Sequence, residues 1–328
     1  MKIFYKPKNC KNVIATVLIG KNFYNNWLKF SYPSWLNYCK KNDIGLIVFD
    51  KYLLKKEDPK WKVSNWHKLL IGSELVKKKL NIKNVCYLDA DILINYITTP
   101  NIFNIYKSKN IGLISQVKNL PYAVPTPIKY QDLSIPEFSC KKRMAYFRNK
   151  YFSKSYPLDS SLFMPLASQY KYIGTKPKKD YACTGVIVFN LKKHSKILES
   201  YFHKYLKGYK DLAAEETYIN YEMQNSKIQW LDYKFQSLWT YEMAHHYSFL
   251  YKQQKNKNLV RDCIRASLMN NYFLHFAGSW NECQMWKTTN IFDKKVVSEW
   301  NDYQKYYLLK PKGAPRGKIT PKIKKNTL

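Results

Sequence analysis

Three short apolar runs set the strongest constraint on the fold of this chain. They cover residues 12–20, 44–50 and 85–88, and each ends on or is followed directly by a glycine or an aspartate. Runs that are apolar at almost every position are typical of strands buried on both faces of a sheet. We therefore expect three central β-strands covered by other elements on both sides.

The segments between these runs have helical patterns. Residues 23–38 predict a helix that Pro33 kinks or restarts. Before the third run, Asn65 is a candidate N-cap for a second helix. The apolar positions of that helix follow helical spacing at Trp66, Leu69, Leu70, Val76 and Leu80. The alternation of strands and helices predicts an α/β fold with a mostly parallel central sheet flanked by helices.

The third run is followed by two aspartates, Asp89 and Asp91, separated by Ala90 and followed by more apolar residues. Unpaired carboxylates at the end of a buried strand cost several kcal/mol unless a cation or a partner compensates them. Ligands of parallel sheets bind beyond the carboxyl ends of the strands, where Gly20 and Asp50 are also expected. The acidic pair therefore predicts a divalent metal site, with Mg²⁺ or Mn²⁺ as the fitting ions and open positions for substrate phosphates.

The composition limits the other functional classes. The chain has 328 residues, 45% of them apolar, which is enough for a sizeable core, and a formal net charge of +33. Its lysines are spread along the whole length together with many Asn and Tyr residues, as the genome of an A/T-rich bacterium or a giant virus would encode them. We find no nucleic-acid-binding module, so no specific nucleic acid is expected as a partner.

Targeting signals and cysteine patterns favour a reducing compartment. No run of eighteen apolar residues and no signal peptide occurs, and the seven cysteines form no Cys-x-x-Cys pair. We expect a soluble cytoplasmic protein, located in the host cytoplasm if the genome is viral. Residues 310–328 contain seven basic residues, three prolines and no acid, which predicts a flexible tail that is solvated or weakly contacts an anionic membrane.

The second half of the chain contains further pieces of the fold. Proline-rich residues 121–179 predict an inserted region over the site. Residues 182–190 predict a strand, residues 193–205 a helix, and residues 272–278 a short strand that leads into a loop. The predicted organisation is one domain over residues 1–309, divided into residues 12–120, the inserted region and residues 180–309, and followed by the tail.

Four motifs, taken in order, resemble those of nucleotide-sugar glycosyltransferases of the A-type fold. Asp89-Ala90-Asp91 resembles the Asp-x-Asp metal site of that family, and residues 184–190 resemble its Asn-Thr-Gly-Val strand. Residues 215–220, Glu-Glu-Thr-Tyr-Ile-Asn, resemble its Asp-Gln-Asp-x-Leu-Asn segment, and residues 275–278, His-Phe-Ala-Gly, its His-x-x-Gly loop. The pattern is most similar to the glycogenin and lipopolysaccharide galactosyltransferase group, whereas Trp66-His67-Lys68 and Cys283 resemble the yeast Golgi galactosyl- and mannosyltransferases.

The resemblance implies a metal-dependent transfer of a hexose or pentose from a nucleoside diphosphate sugar, with a UDP-sugar favoured, to a glycan or glycoprotein acceptor. It implies Mn²⁺ or Mg²⁺ as the cofactor, with Asp89, Asp91 and His275 as ligands. Glu216, and after it Glu215, is the candidate for the reacting carbon or the acceptor hydroxyl. The implied donor-binding residues are Leu18, Gly20, Tyr24, Asp50, Lys68, Asp89, Ala90 and Gly278. The resemblance also implies that residues 12–120 bind the donor, that residues 121–179 lie on the acceptor side and that residues 180–309 form the acceptor-binding and catalytic half.

Several alternatives stay open at this point. The lysine that often follows the family loop is replaced by Asn281, and Glu215 and Glu216 stand where the family has Asp and Gln, so the stereochemical outcome is undetermined. These two acids would also fit the first turn of any helix, where negative charge is favoured. Two other functions remain: a basic nucleic-acid- or membrane-binding protein on an inactive transferase fold, and a nucleotidyltransferase.

Overall fold

The computed structural model describes residues 1–107, 109–117, 120–122, 143–148, 150–151, 166–205, 215–278 and 280–308. The chain forms two compact units, Met1–Ile291 and Phe292–Leu328. The first unit contains both sheets and the whole candidate site, and the described part of the second is mainly one helix. The inserted region at 123–142 and 152–165 and the basic tail from 309 onward lie outside the described residues.

Ten strands of the described residues form two sheets. In chain order they are β1 Lys2–Tyr5, β2 Asn12–Val17, β3 Gly45–Phe49, β4 Asn84–Leu88, β5 Ile92–Ile94, β6 Ile111–Ile114, β7 Val186–Asn190, β8 Ile228–Leu231, β9 Ser237–Leu238 and β10 Phe273–His275. The large sheet has the order β1-β3-β2-β4-β7-β6-β8, and the small one has the order β5-β10-β9. The three strands predicted from the apolar runs, β2, β3 and β4, are adjacent and parallel.

The large sheet is mixed, with β1 and β7 running against the other strands. The predicted α/β class with a mostly parallel sheet is confirmed. The strand predicted at 182–190 is shorter than expected, and it pairs antiparallel with β4, with Leu88 opposite Val186. Apolar patterning does not encode strand direction, so this reversal could not be predicted from it. Its consequence is that Gly185, just before β7, lies beside Asp89, just after β4.

Besides helical residues at 143–148 and 150–151, eleven helices are described. They are α1 Lys21–Phe30, α2 Tyr32–Lys41, α3 Ile71–Lys77, α4 Ile102–Ile105, α5 Leu166–Tyr172, α6 Leu191–Lys204, α7 Glu216–Met223, α8 Trp239–His246, α9 Leu250–Gln253, α10 Lys257–Asn270 and α11 Lys294–Leu308. Short 3₁₀ helices cover Ser64–Leu70, Tyr233–Gln236 and Glu282–Lys287. None of the described helices is both long and apolar enough to cross a membrane.

The two predicted helices of the first half differ in detail from the prediction. The chain restarts at Ser31, and Pro33 occupies the first turn of α2, where its missing N–H leaves no helical bond unmade. The second helix begins as the 3₁₀ helix Ser64–Leu70, and its N-cap is Val63 rather than Asn65. Val76 is 51% exposed, so its assignment to the apolar face was wrong.

Alternating residues of the central strands fill two cores. On one face, Ile14 and Cys86 pack with Trp27 and Trp35 of α1 and α2. On the other face, apolar residues of β2 and β4 pack with the 3₁₀ helix Ser64–Leu70, α3 and α6. This double coverage explains why β2, β3 and β4 are apolar at nearly every position.

The small sheet brings together distant parts of the chain. In β10, His275 lies opposite Ile92 of the antiparallel strand β5 and beside Leu238 of the parallel strand β9. Because β5 follows Asp91 directly, this pairing places His275 next to the acidic pair.

Candidate metal centre

The backbone around the acidic pair is fixed on both sides. The Asp89 N–H donates to the Gly185 carbonyl at 2.8 Å, and the Ile92 N–H donates to the Asp89 carbonyl at 3.3 Å. Between the acids, Ala90 is buried in the core, and its carbonyl accepts a hydrogen bond from the Ser31 hydroxyl at 2.7 Å. Ala90 therefore anchors the turn between the two acids, both of which are half-buried.

His275 completes a cluster with these two acids. Its Nε2 lies 3.3 Å from Asp91 Oδ1 and 3.6 Å from Asp89 Oδ2, and the residue is only 2% exposed. One ligand atom from each of the three residues lies within 4.8 Å of the others. Two carboxylate oxygens and an imidazole nitrogen that converge in this way fit a divalent ion such as Mn²⁺ or Mg²⁺. The three metal ligands predicted from the sequence are thus brought together.

The electrostatics of the cluster follow from its burial. Burial raises the pKa of Asp89, and Lys68 and then His275 oppose this rise without cancelling it. Burial lowers the pKa of His275, but Cys183 and then Asp91 stabilise the imidazolium, and the net pKa is raised well above its usual value. The imidazolium and the carboxylates thus compensate one another, and a bound cation would take the place of the proton.

Gly185 makes room for the cluster. A Cβ atom at this position would lie 2.3 Å from His275 Cε1 and 2.9 Å from Asp89 Oδ2, which is far inside contact distance. Any side chain here would therefore displace a candidate ligand. The sequence motif contained this glycine, but its role was not predicted. A glycine within an apolar strand pattern indicates that another group approaches the backbone closely at that position.

The other ring nitrogen of His275 has its own surroundings, which the sequence did not reveal. Nδ1 lies 3.1 Å from the side-chain amide nitrogen of Gln236 and 3.6 Å from the Cys183 sulfur. Both neighbours are buried. Neither a lone glutamine nor a lone cysteine carries a sequence signal that predicts such a contact.

Lys68 lies beside the cluster in a buried ion pair. Its Nζ is 2.6 Å from Glu215 Oε1 and 2.7 Å from Thr184 Oγ1, and the lysine and the glutamate are 3% and 5% exposed. Burial lowers the pKa of Lys68, but Glu215 and then Asp89 raise it, and the net pKa lies above the usual value. The ammonium group predicted to hold phosphate is therefore engaged by Glu215.

Glu216 is placed differently from Glu215. It is the first residue of α7 and is half-buried, whereas Glu215 occupies the N-cap position and makes no side-chain cap bond. The expectation that these acids open a helix is confirmed, and their catalytic roles stay predictions.

The predicted base and ribose residues follow β2 and β3. Leu18 is buried, and its N–H donates to the Phe49 carbonyl at 2.8 Å; Gly20 has a φ of 98° ahead of α1. Tyr24 and Asp50 share Lys2, whose Nζ lies 3.2 Å from the Tyr24 hydroxyl and 3.1 Å from Asp50 Oδ2. Burial raises the pKa of Asp50, but the hydrogen bond from Lys2, a backbone hydrogen bond and the charges of the N-terminus and Lys2 together outweigh this effect, so the net pKa is lowered.

Gly278 has a backbone conformation that favours glycine. It is exposed and has a φ of 110°, a region that residues with side chains rarely adopt. A Cβ atom there would lie 3.0 Å from Trp280 Cδ1 and 3.2 Å from Cys283 Sγ. The Cys283 thiol donates to the Ala277 carbonyl at 2.9 Å, which folds the loop after β10 back on itself.

Comparisons with known proteins find no matching family model and no matching curated protein. Among solved structures, the chain is similar to a glycosyltransferase involved in the glycosylation of the major capsid of PBCV-1, with 10% identity and a TM-score of 0.45 over 84% of this chain and 98% of that chain. It is also similar to the galactosyltransferase LgtC in complex with donor and acceptor sugar analogs, with 13% identity and a TM-score of 0.44 over 88% and 95% of the two chains. A third similar chain is the bifunctional glycosyltransferase WbbM, with 9% identity and a TM-score of 0.46 over 91% of this chain and 53% of that chain.

These matched structures belong to the class of enzyme that the sequence motifs predict. Because the identities do not exceed 13% and the TM-scores stay below 0.5, we infer the function from the side chains of the site.

Proposed function

We propose that this protein is a metal-dependent glycosyltransferase that moves a sugar from a nucleoside diphosphate sugar, with a UDP-sugar favoured, to a glycan or protein acceptor. The observation that carries the proposal is the convergence of Asp89, Asp91 and His275 within 4.8 Å of one another. They meet at the edge of the sheet where β4 ends, which is the edge at which parallel sheets bind ligands.

The proposed metal ligands are Asp89 Oδ2, Asp91 Oδ1 and His275 Nε2, the three atoms that face one another. The Tyr87 hydroxyl donates to the other oxygen of Asp89, Oδ1, and so orients Oδ2 toward the imidazole. When bound, the metal supplies Lewis-acid stabilisation of the charge that grows on the diphosphate leaving group. The exposed backbone at Gly278 lets the loop after β10 approach these phosphates closely.

Glu216 is the proposed catalytic carboxylate. Glu215 is neutralised by Lys68 and buried, whereas Glu216 is half-buried at the start of α7. In an inverting reaction Glu216 would take the proton from the acceptor hydroxyl, and in a retaining reaction it would stabilise the charge at the anomeric carbon. In both cases the buried Lys68–Glu215 ion pair fixes the position of Glu215, the N-cap residue of α7.

The base and ribose of the donor are assigned to the segment that follows β2 and β3. The turn from Leu18 to Gly20 supplies backbone groups, and Tyr24 and Asp50 supply a ring and a carboxylate. Lys2, which bridges Tyr24 and Asp50, gives this end of the site a positive charge for the donor.

A direct test incubates the purified full chain with a panel of nucleoside diphosphate sugars, with Mn²⁺ or with EDTA, and measures release of the nucleoside diphosphate. We expect Mn²⁺-dependent release with at least one donor, and loss of that release in Asp91→Ala and His275→Ala. Asp262→Ala, which removes an exposed acid of α10, is the matched control and should keep full activity. Metal-independent activity, or full activity in both site variants, contradicts the proposal; release of pyrophosphate from nucleoside triphosphates would indicate a nucleotidyltransferase instead.

A further inference from the structure

The imidazole of His275 has one nitrogen on each side of the site, and the two have different neighbours. Nε2 faces the carboxylates of Asp89 and Asp91, whereas Nδ1 faces Gln236 at 3.1 Å and Cys183 at 3.6 Å. A neutral imidazole binds a metal only through the nitrogen that lacks a proton. The partner of Nδ1 therefore decides whether Nε2 is available as a ligand.

Gln236 is held firmly in this position. It is fully buried and ends the 3₁₀ helix Tyr233–Gln236, directly before β9, whose Leu238 pairs with His275. The backbone carbonyl oxygen of Gln236 accepts a hydrogen bond from the side-chain amide of Gln116 at 3.4 Å. A Cβ atom on Gly185 would lie 2.9 Å from its amide nitrogen, so the side chain is enclosed from that direction as well.

Only one of the two polar atoms of the Gln236 side-chain amide has a hydrogen-bond partner among the described residues. Its Oε1 is buried and has no hydrogen-bond partner among the described residues, while its Nε2 faces His275 Nδ1. An amide keeps its shape when oxygen and nitrogen exchange places, so only hydrogen bonding decides the orientation. With Oε1 toward the ring, the amide accepts the Nδ1 proton and leaves the Nε2 lone pair directed at the two acids.

We propose that Gln236 is the positioning residue of the metal centre: its amide oxygen accepts a hydrogen bond from His275 Nδ1–H and thereby presents Nε2 to the metal. The inference rests on the proposed function, because it requires a divalent ion between Nε2 and the carboxylates. Gln236 does not itself contact the ion.

Cys183 is the competing partner of Nδ1. Its sulfur lies 3.6 Å from Nδ1, farther than the Gln236 amide nitrogen at 3.1 Å. A thiol sulfur is a weak acceptor compared with an amide oxygen. We therefore assign the orientation of the ring to Gln236 rather than to Cys183.

The experiment measures the dissociation constant for Mn²⁺ from the signal of free Mn²⁺ in electron paramagnetic resonance, on the full chain and its variants. Gln236→Met keeps the volume but removes the acceptor, and we expect it to weaken Mn²⁺ binding about 10- to 100-fold. Gln236→Glu restores an acceptor and should bind within about threefold of the wild type. Gln254→Met is the matched control, a partly buried glutamine whose Nε2 has no hydrogen-bond partner among the described residues and which contacts neither Gln236 nor the imidazole in the contacts described, and it should stay within about threefold.

A second measurement uses the wild type alone. Long-range ¹H–¹⁵N spectra of histidine-labelled, Mg²⁺-bound protein identify the protonated ring nitrogen of His275, whose signal is assigned by its absence in His275→Ala. We expect the proton on Nδ1. This result does not depend on how well the Gln236 variants fold.

The outcomes separate this inference from the proposed function. Wild type that fails to bind Mn²⁺ overturns both. Wild type that binds, with binding lost in His275→Ala but kept within about threefold in Gln236→Met, overturns the role of Gln236 alone, as does a proton found on Nε2 in the Mg²⁺-bound protein. If Cys183→Ala weakens binding as much as Gln236→Met is expected to, the orienting role belongs to the thiol and the proposal fails.

Discussion

Asp50 and the pair Asp89 and Asp91 occupy equivalent places in the fold but have different surroundings. All follow parallel strands of the large sheet, β3 in one case and β4 in the other. Asp50 already has a cation, because Lys2 lies 3.1 Å from its carboxylate. Asp89 and Asp91 instead face each other and the imidazole of His275.

The difference shows when an acid at a strand end indicates a metal site. A carboxylate that forms an ion pair with a lysine of the same chain is already compensated, and its pKa is lowered, as that of Asp50 is. Burial, and to a lesser extent the neighbouring Asp91, raises the pKa of Asp89, and a bound divalent ion would compensate both carboxylates. The predictions below test this contrast, beginning with the largest expected effect.

Removal of a proposed ligand should have the largest effect. Because a metal supplies several kcal/mol of stabilisation and about 1.4 kcal/mol corresponds to a factor of ten, Asp91→Ala and His275→Ala should each lower the rate of sugar transfer about 10³-fold. Steady-state rates at saturating donor and Mn²⁺, with unfolding curves to confirm that the variants fold, check this. A loss of less than about tenfold in both variants is incompatible with a catalytic metal.

Disruption of the buried ion pair should affect stability strongly. Lys68→Met leaves the Glu215 carboxylate buried without its partner, which should cost about 3–5 kcal/mol in the free energy of unfolding. Urea denaturation followed by circular dichroism measures this. The double variant Lys68→Met/Glu215→Gln removes both charges and should recover most of the loss; a double variant as unstable as the single one shows that the pair is not the cause.

Gly185→Ala tests the space between β4, β7 and the imidazole. The added Cβ would lie 2.3 Å from His275 Cε1, so the ring must move by about 1 Å, and a displacement of that size lowers turnover on the order of 10²-fold. Gly174→Ala is the control, because Gly174 has open space around it; its φ is positive, whereas Gly185 is not among the glycines with a positive φ. It should lose stability without losing Mn²⁺ affinity, and equal Mn²⁺ affinity in both variants would refute the steric argument.

Asp50→Asn should have the smallest effect. Its ion pair with Lys2 is partly exposed, and the loss of such a pair changes an equilibrium by no more than about fivefold. We expect a modest rise in the KM for the donor and no change in the dissociation constant for Mn²⁺. A large fall in Mn²⁺ affinity would place Asp50 in the metal centre and remove the contrast with Asp89 and Asp91.

The elements predicted from the sequence are those with long periodic patterns. The strands β2, β3 and β4 are buried on both faces, so their apolar runs are unmistakable. The strands of the small sheet have only two or three residues each, which is too short for any period, and only β10 was predicted. The edge strands β1 and β8 are partly exposed and give no continuous apolar run.

The residues of the candidate site can be divided in the same way, into those that a local sequence pattern predicts and those that it does not. Asp89, Asp91 and His275 were predicted because each ends or adjoins a recognisable strand. The Lys68–Glu215 pair joins residues 147 positions apart, and the contact between Gln236 and His275 joins residues 39 positions apart. No local pattern encodes either contact, because each joins elements that are far apart in the chain.

The most direct test of the metal centre is a crystal structure of the protein soaked with Mn²⁺ and UDP, with anomalous diffraction data collected at the manganese edge. We expect one strong anomalous peak within coordination distance of Asp89, Asp91 and His275, with the diphosphate of UDP bound to the same ion. UDP bound without an anomalous peak at these three residues, or a peak at a different site, would contradict the proposed mechanism.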